Sequence, residues 1–522
     1  MYQKEARQIS FILPFGGELN PDSRWVQMAD LLPWPEIEEE YAKNFQSRRG
    51  HPAKSARVAL GALIVKEMRG LTDEETVEAI AETPAMQYFL GFEEFVQEEP
   101  FDPSLMVHFR KRFGVDFIDS INQLIIEEGR KKDDQKERGS DDDSDSSSSS
   151  QGTSLPPSDK GDPDPESSNK GKSILDATCT PADIHYPTDL GLLNKAREKS
   201  EEIIDVLFKH KKEKTKKPRT YRQKARKQYL GFAKKKKLRA KSIRKGCGRQ
   251  LRCLKRNLKH IEKPNEMVSL EMLSRRQYKN LLAIHELYRQ QQTMYETKTH
   301  GIPFRIVSIS QPHVRPIVRG KASAQTEFGA KLSASVSEDG YVTLDRLSWE
   351  AYSESGDLKD RTEKYRSRTG HYPKSVLADK LYRTRENRQW CKSRGIGLSG
   401  PRLGRPPISE QIKREEKLRN RQDERERNAI EGKFGQGKRR FGLSRIMAKL
   451  QETSETAIAV SFLVMNLVKL MELFLLFFFW DVRIAQTNKN KMSETGLKNN
   501  FTHRSIKNFL ITQNAPICFA ES

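Results

Sequence analysis

The chain has 522 residues, enough for two or three domains and at least one sizeable core. Its net charge of +23, with 32% charged residues, places it among soluble proteins that meet a polyanionic partner. Five cysteines, Cys179, Cys247, Cys253, Cys391 and Cys518, form no CxxC pair and no Cys/His cluster. This excludes a disulfide frame and a zinc site and predicts a reducing, cytoplasmic setting.

The first residues, MYQKEARQISFILPFGGELNP, lack the long apolar core of a signal peptide. Residues 50–129 read as helices: Thr72 to Glu75 has the form of a capping box, and Val77, Ile80 and Ala81 form a stripe at helical spacing. A Pro-Ser turn in FDPSLMVHFRKRFG starts a further helix carrying Arg110, Lys111 and Arg112. Short helices ending in a basic one suit either a DNA-reading bundle of helix-turn-helix type or a bundle that only packs. Residues 1–130 are therefore expected to form an all-α region. Residues 131–172 are Ser, Asp, Gly and Pro with almost nothing apolar, and are expected to be a disordered linker.

SILDATC (173–179) reads as a buried strand holding Asp176. GAKLSASVSEDGYVTLDRL alternates apolar and polar residues around a turn at Asp339-Gly340, a hairpin. PKSVLADKLY gives another short strand ending at Asp379, and a long charged helix starts near 408. This order predicts an α/β fold with a central mixed sheet. Between first strand and hairpin lies an insertion, about 185–328. Its stretch 209–256 holds 23 Lys or Arg against a single Glu, nearly the whole net charge of the protein. Tyr221, Tyr229 and Phe232 are interleaved, and Lys234, Lys235, Lys236 and Lys237 stand in a row. A solvated face mixes its signs and this one does not, so a nucleic-acid backbone is the expected partner, with binding that weakens steeply in salt.

Near the C-terminus, TAIAVSFLVMNLVKLMELFLLFFFW (456–480) is interrupted by Lys469 and Glu472. By its charge-free run it falls short of the roughly 18 apolar residues of a membrane span, and a buried core helix with no membrane contact is expected. Residues 481–522 are expected to be a poorly ordered tail.

AIEGKFGQGKRR (429–440) reads two ways. Gly432, four residues, then Gly437-Lys438 has the spacing of a phosphate loop, but that loop needs a preceding strand and a Ser or Thr where Arg439 stands. No nucleotide cofactor is therefore expected. As a helix, at about 100° per residue, the stretch puts Arg427, Glu431 and Lys438 on one face, with Ile430, Phe434 and Phe441 beside them. Gly432, Gly435 and Gly437 oppose helix by up to about 1 kcal/mol each, so packing must compensate or the helix breaks near 435. Asp176 in a strand, Asp379 at the end of another and Glu431 on a helix can converge at one sheet edge. Three carboxylates suit two Mg²⁺ ions about 3.5–4 Å apart, the arrangement for in-line phosphoryl displacement.

At these residues the chain resembles bacterial insertion-sequence transposases of the DDE type, of the IS-five-like kind with a ribonuclease-H-like core. LDATCTPADIHYPTDLGLLNKARE is similar to the first-aspartate motif of that family and VLADKLYRTRENRQW to its second. GIGLSGPRLGRPP follows as in relatives, RPIVRGKA and TEFGAKLSASV also look familiar, and Arg427, Glu431 and Lys438 match a third motif, R-x3-E-x6-K. Where relatives often carry Tyr three residues before that Arg, this chain has Glu424. The resemblance covers about 50–125 and 173–470. It implies a ribonuclease-H-like mixed sheet in 173–480, interrupted by the basic helical insertion, behind an N-terminal helical DNA-reading region.

The resemblance further implies a homodimer acting on double-stranded DNA, both transposon ends and target. Asp176, Asp379 and Glu431 would be catalytic and hold two Mg²⁺, with Mn²⁺ as substitute. Arg427, Lys438 and Arg439, with Lys234 to Lys237, would contact DNA in a cytoplasmic, nucleoid-associated protein. His185 and Arg383 are expected to be structural or DNA-facing. Asp183 and Asp189 read as loop caps, or as replacements for Asp176 under another strand register.

Overall fold

Helix signals in the N-terminal sequence act as written. The computed structural model describes residues 13, 17–45, 52–139, 169–209, 217–237, 239–262, 270–318, 326–401, 404 and 409–494, with backbone only at 132–139 and 475–494. Helices α1 (Arg24–Leu31), α2 (Trp34–Ala42), α3 (Ala56–Arg69), α4 (Asp73–Glu82), α5 (Pro84–Phe89) and α6 (Leu105–Gly139) come first. Ser55 caps α3 by accepting from the Val58 amide, and Gly70 closes it at φ +68°. The expected capping box between Thr72 and Glu75 opens α4. Trp25, Met28, Leu60, Ile64, Phe89 and Phe109 are buried and form the core these helices share. Gly114, at φ +64°, kinks α6. The helix nevertheless continues to Gly139, past the expected boundary at 130. Residues 140–168, most of the expected linker, lie outside the described residues.

One basic residue of α6 departs from expectation. Arg110 is only 6% exposed. Its guanidinium donates to both carboxylate oxygens of Asp73, at 2.9 and 2.6 Å, so it ties α6 to α4 rather than facing a partner. Lys111 is exposed.

The strands are β1 (Lys172–Pro181), β2 (Arg315–Val318), β3 (Thr326–Ser337), β4 (Val342–Ser348), β5 (Ser375–Ala378) and β6 (Gly397–Leu398). They form one mixed sheet in the order β2-β3-β1-β5-β6, with β4 also pairing β3. The hairpin is as expected: β3 and β4 are antiparallel, and Gly340 at φ +77° supplies the turn. β1 runs antiparallel to β3 and parallel to β5. β2 lies inside the range expected to be insertion but belongs to the sheet, pairing Arg315–Val318 with Thr326–Gly329. A four-residue strand with Pro316 inside carries too little alternation to be read from sequence. Lys172, expected in the linker, starts β1.

Between β1 and β2 the chain makes α7 (Asp189–Lys209), α8 (Arg222–Ala233), α9 (Ala240–Glu262) and α10 (Arg275–Thr297). These helices have their own apolar core, including Leu193, Ile204, Leu254, Leu258, Ile284 and Leu287. The fully buried Arg197 is satisfied inside it by Glu201 at 2.7 Å, Asn194 and Gln250. Residues 210–216 of the basic stretch lie outside the described residues.

Helices α11 (Leu358–Thr369), α12 (Arg385–Lys392), α13 (Glu410–Arg440) and α14 (Gln451–Glu494) complete the chain. α13 packs against β1 and β5. By length and composition alone Gln451–Phe474 would suffice to cross a membrane, contrary to the charge-based expectation. It is packed instead: Ile458, Val460, Phe462, Leu463 and Leu467 are at most 1% exposed. The Asn466 side chain is buried there too, donating to Asn122 of α6 at 2.8 Å and to the Val342 carbonyl of β4 at 2.7 Å. Two units result, Met1–Val468 and Lys469–Ser522. α14 continues through Glu494, inside the expected tail, and residues 495–522 lie outside the described residues.

Candidate active site

The parallel ladder of β1 and β5 pairs Leu175 with Ala378 as its last step. The next residue on each chain is an aspartate, Asp176 within β1 and Asp379 immediately after β5. Asp379 leaves the strand as the cap of a short 3-10 turn, Lys380–Tyr382, accepting the Lys380 amide at 2.6 Å. Asp176 is half-buried, and its carboxylate accepts the Ala177 amide at 2.8 Å. Burial pushes the Asp176 carboxyl above its ordinary range. The Ala177 amide opposes the shift, Glu354 adds to it, Arg427 opposes it, and Asp379 adds again. Asp176, Asp379, Arg427 and Glu354 are thus electrostatic neighbours.

Two features hold this edge together from behind. Arg361 of α11, 2% exposed, donates to Asp345 at 2.9 Å and to the Tyr382 hydroxyl at 2.8 Å. The same guanidinium donates to the Asp176 carbonyl at 3.3 Å and to that of Ala334. It therefore ties β1, β3 and the turn after Asp379 to one point. Across the edge, Lys172 of β1 pairs with Glu426 of α13 at 3.0 Å and fixes the helix on the strand.

α13 is continuous from Glu410 to Arg440, without a break at Gly435. The stretch is therefore a helix and not a phosphate loop. Ile430 and Phe434 are buried on it, and Phe441 is buried at its end, as the helical phase predicts. Gly437 sits in close packing: a Cβ there would meet the Leu443 side chain at 2.7 Å and that of Met465 at 3.3 Å, so a larger residue must displace them. Gly432 has nothing within 4 Å.

Glu431 is 57% exposed and pairs with Arg427 at 3.4 Å. Lys438 is half-buried, Arg439 is exposed, and Lys234, Lys235, Lys236 and Lys237 are all exposed in the turn after α8. Among the described residues no three His, Cys, Asp or Glu stand at ion-holding spacing. The structure thus brings Asp176, Asp379 and Arg427 together, and turns Glu431 toward Arg427.

Of the supporting residues, Asp183 pairs with Arg445 at 2.6 Å and Asp189 with Arg305 at 2.7 Å. Both are engaged in ion pairs, and the β1 register puts Asp176 one step beyond the last β1–β5 pair. His185 is exposed. Arg383 lies beside Asp379. Gly400, at φ +101°, leaves the space it needs, since a Cβ there would lie 2.0 Å from its guanidinium. Burial and the neighbouring Arg388 lower the Arg383 pKa; Asp379 and Glu424 oppose this, and Arg427 adds to it. Glu354 and Arg361 were missed by sequence reading. Glu354 sits in a Ser-rich turn without periodicity, and Arg361 lies on a helix that reads as charged surface.

Residues 376–468, which carry Asp379, Arg427, Glu431 and Lys438, match the family described as a transposase DDE domain. Residues 15–112 match a second family, described as a transposase domain. A curated relative from Rhizobium meliloti, an uncharacterized protein of ORF8 in the nfe locus, is 28% identical over 194 residues, 37% of this chain and 75% of its own. No solved structure matches. Two transposase families matched at separate parts of one chain, the DDE domain over the helix that packs against the aspartate strands, bear out its resemblance to bacterial insertion-sequence transposases of the DDE class.

Proposed function

We propose that this transposase, of the IS-five-like kind with a ribonuclease-H-like core, cuts DNA at the terminal inverted repeats of its element and joins the freed 3′ ends to target DNA. Asp176, Asp379 and Glu431 are the proposed catalytic set. The observation that supports this most is the parallel β1–β5 register, with two aspartates one step beyond its last pair and α13 packed across both strands.

By chemistry, though not by the spacing they have here, these donors suit divalent cations. Hard carboxylate oxygens suit Mg²⁺ or Mn²⁺, and a half-buried Asp176 whose pKa is raised among like charges is a site that a cation would relieve. Bound ions would activate the attacking water or 3′-hydroxyl and stabilise the leaving oxygen. The protein's own part is positioning: Arg361 fixes the Asp176 backbone and Tyr382, and Lys172 fixes α13. Glu431 would join the two aspartates by releasing Arg427, which then faces phosphate. Lys438, Arg439 and Lys234 to Lys237 are proposed DNA contacts, and two copies would pair two ends. Residues 1–130 are the proposed repeat-reading region, and the whole is proposed to act in the cytoplasm at the nucleoid.

The deciding experiment is Mg²⁺-dependent nicking of inverted-repeat duplex by the full chain and by Asp379→Ala. The reading expects nicking by the first only. Equal cleavage by both would remove the site assignment. An intact wild type that binds the repeat duplex but never cuts would favour a DNA-binding descendant that has lost catalysis.

A further inference from the structure

We infer that the outer face of α9 is a sequence-independent clamp for the phosphate backbone of duplex DNA, built outside both regions that match transposase families. The choice of DNA rests on the transposase reading; the clamp itself rests on the helix.

Lys241, Arg244, Lys245, Arg252, Lys255 and Lys259 are all exposed, whereas Cys247, Leu251, Leu254, Leu258 and Ile261 of the same helix are buried. At about 100° per residue the six cations fall within an arc of about 100°. Lys241 to Lys259 spans about 27 Å at 1.5 Å per residue, the length of about eight base pairs. The face is therefore a straight cationic rod, held rigid by an apolar core behind it.

A salt-bridged surface would carry acids at i+3 or i+4. Here Glu262, at the end of the helix, is the only acid in α8 and α9. Among the described residues no carboxylate lies within ion-pair distance of any of the six cations. Contrast Arg222 of α8, which is neutralised by Asp205 at 2.6 Å. Arg244 is steadied over the Tyr295 ring, its guanidinium 4.2 Å from the ring centroid. Exposed Lys234 to Lys237 lead into the N-terminal end of the same rod. Contacts made to phosphate carry no sequence information, so a face that meets only the backbone grips any duplex equally.

The test is binding of the full chain to a random-sequence 30-bp duplex and to the inverted-repeat duplex across a salt series. Wild type is compared with a variant carrying Gln at all six positions and with Arg252→Gln/Lys255→Gln/Lys259→Gln, each with its thermal unfolding recorded. Each lost phosphate contact removes about 0.9 from the slope of log K against log salt. The six-fold variant is expected to lose up to about five in slope and the three-fold variant about half of that. Both duplexes should weaken by the same factor. A slope unchanged to within about one in a folded three-fold variant would overturn the clamp. Tighter wild-type binding to duplex RNA of equal length would overturn DNA as its occupant. The predicted slope change in a protein that never cuts inverted-repeat DNA would sink the cleavage reading and leave the clamp standing.

Discussion

Asp176 and Asp379 leave neighbouring parallel strands at the same level, one residue beyond the Leu175–Ala378 pair. That level is set by the hydrogen-bond ladder, not by the acids. Whatever holds β1 against the turn after β5 therefore governs how well the two carboxylates can act together.

Arg361 is the residue placed to do so. Arg361→Gln removes a buried charge from Asp345, which is itself fully buried, and is expected to cost about 3–5 kcal/mol. Arg361→Lys keeps the charge but not the fork, and so cannot hold the Tyr382 hydroxyl and the strand carbonyls together. It is expected to fold, to bind DNA normally, and to cleave about 100-fold more slowly. Urea unfolding and single-turnover nicking read the two effects. Normal nicking by a folded Arg361→Lys would remove the positioning role.

In the N-terminal bundle, Arg110 and Lys111 are neighbours with opposite duties. Burial raises the Asp73 carboxyl, but hydrogen bonding and charge from Arg110, with Lys66 assisting, carry it below its ordinary range. Arg110→Ala is expected to destabilise by about 3 kcal/mol, and Lys111→Ala by less than about 0.5 kcal/mol. If urea midpoints ranked the two in reverse, the burial argument would fail.

The glycines of α13 separate in the same way. Gly432 faces open space in helical backbone, so Gly432→Ala is expected to stabilise by about 0.5–1 kcal/mol. Gly437→Ala would gain the same backbone term but must push against Leu443 and Met465. It is expected to destabilise by about 1–3 kcal/mol, seen as a lower melting temperature. A Gly437→Ala protein at least as stable as wild type would show that α13 does not sit where its contacts require.

Acid sensitivity should trace to His313, which packs edge-on against Trp349 at 4.4 Å. Burial, with Arg315 beside it, lowers the imidazole pKa from 6.5 to about 4. Below 6.5 the unfolded chain binds the proton and the folded one does not, so stability present above 6.5 is lost as pH falls toward 4. Melting temperature against pH should show that loss, and His313→Asn should flatten it. An equal slope in both proteins would assign the acid loss to other groups.

The strands at 173–179 and 375–378, the hairpin, the capping box and the phase of Ile430, Phe434 and Phe441 were legible because each follows from local periodicity or turn chemistry. The resemblance to transposases, matched over 15–112 and 376–468, was legible from its motifs. β2 was not, since four residues with a proline hold no period. Neither was the length of α6 or of α14, whose polar ends are carried forward by helix propagation from a packed stem.

By itself, then, the sequence determined the elements, the charge imbalance of the insertion and the three acids that stand out in their motifs. Tertiary structure alone decided which of them meet. It paired β1 with β5 so that Asp176 and Asp379 share a level, and it buried Arg110 against Asp73. Local rules act over a few residues, whereas these neighbours are brought together across up to two hundred residues of chain by burial and strand pairing.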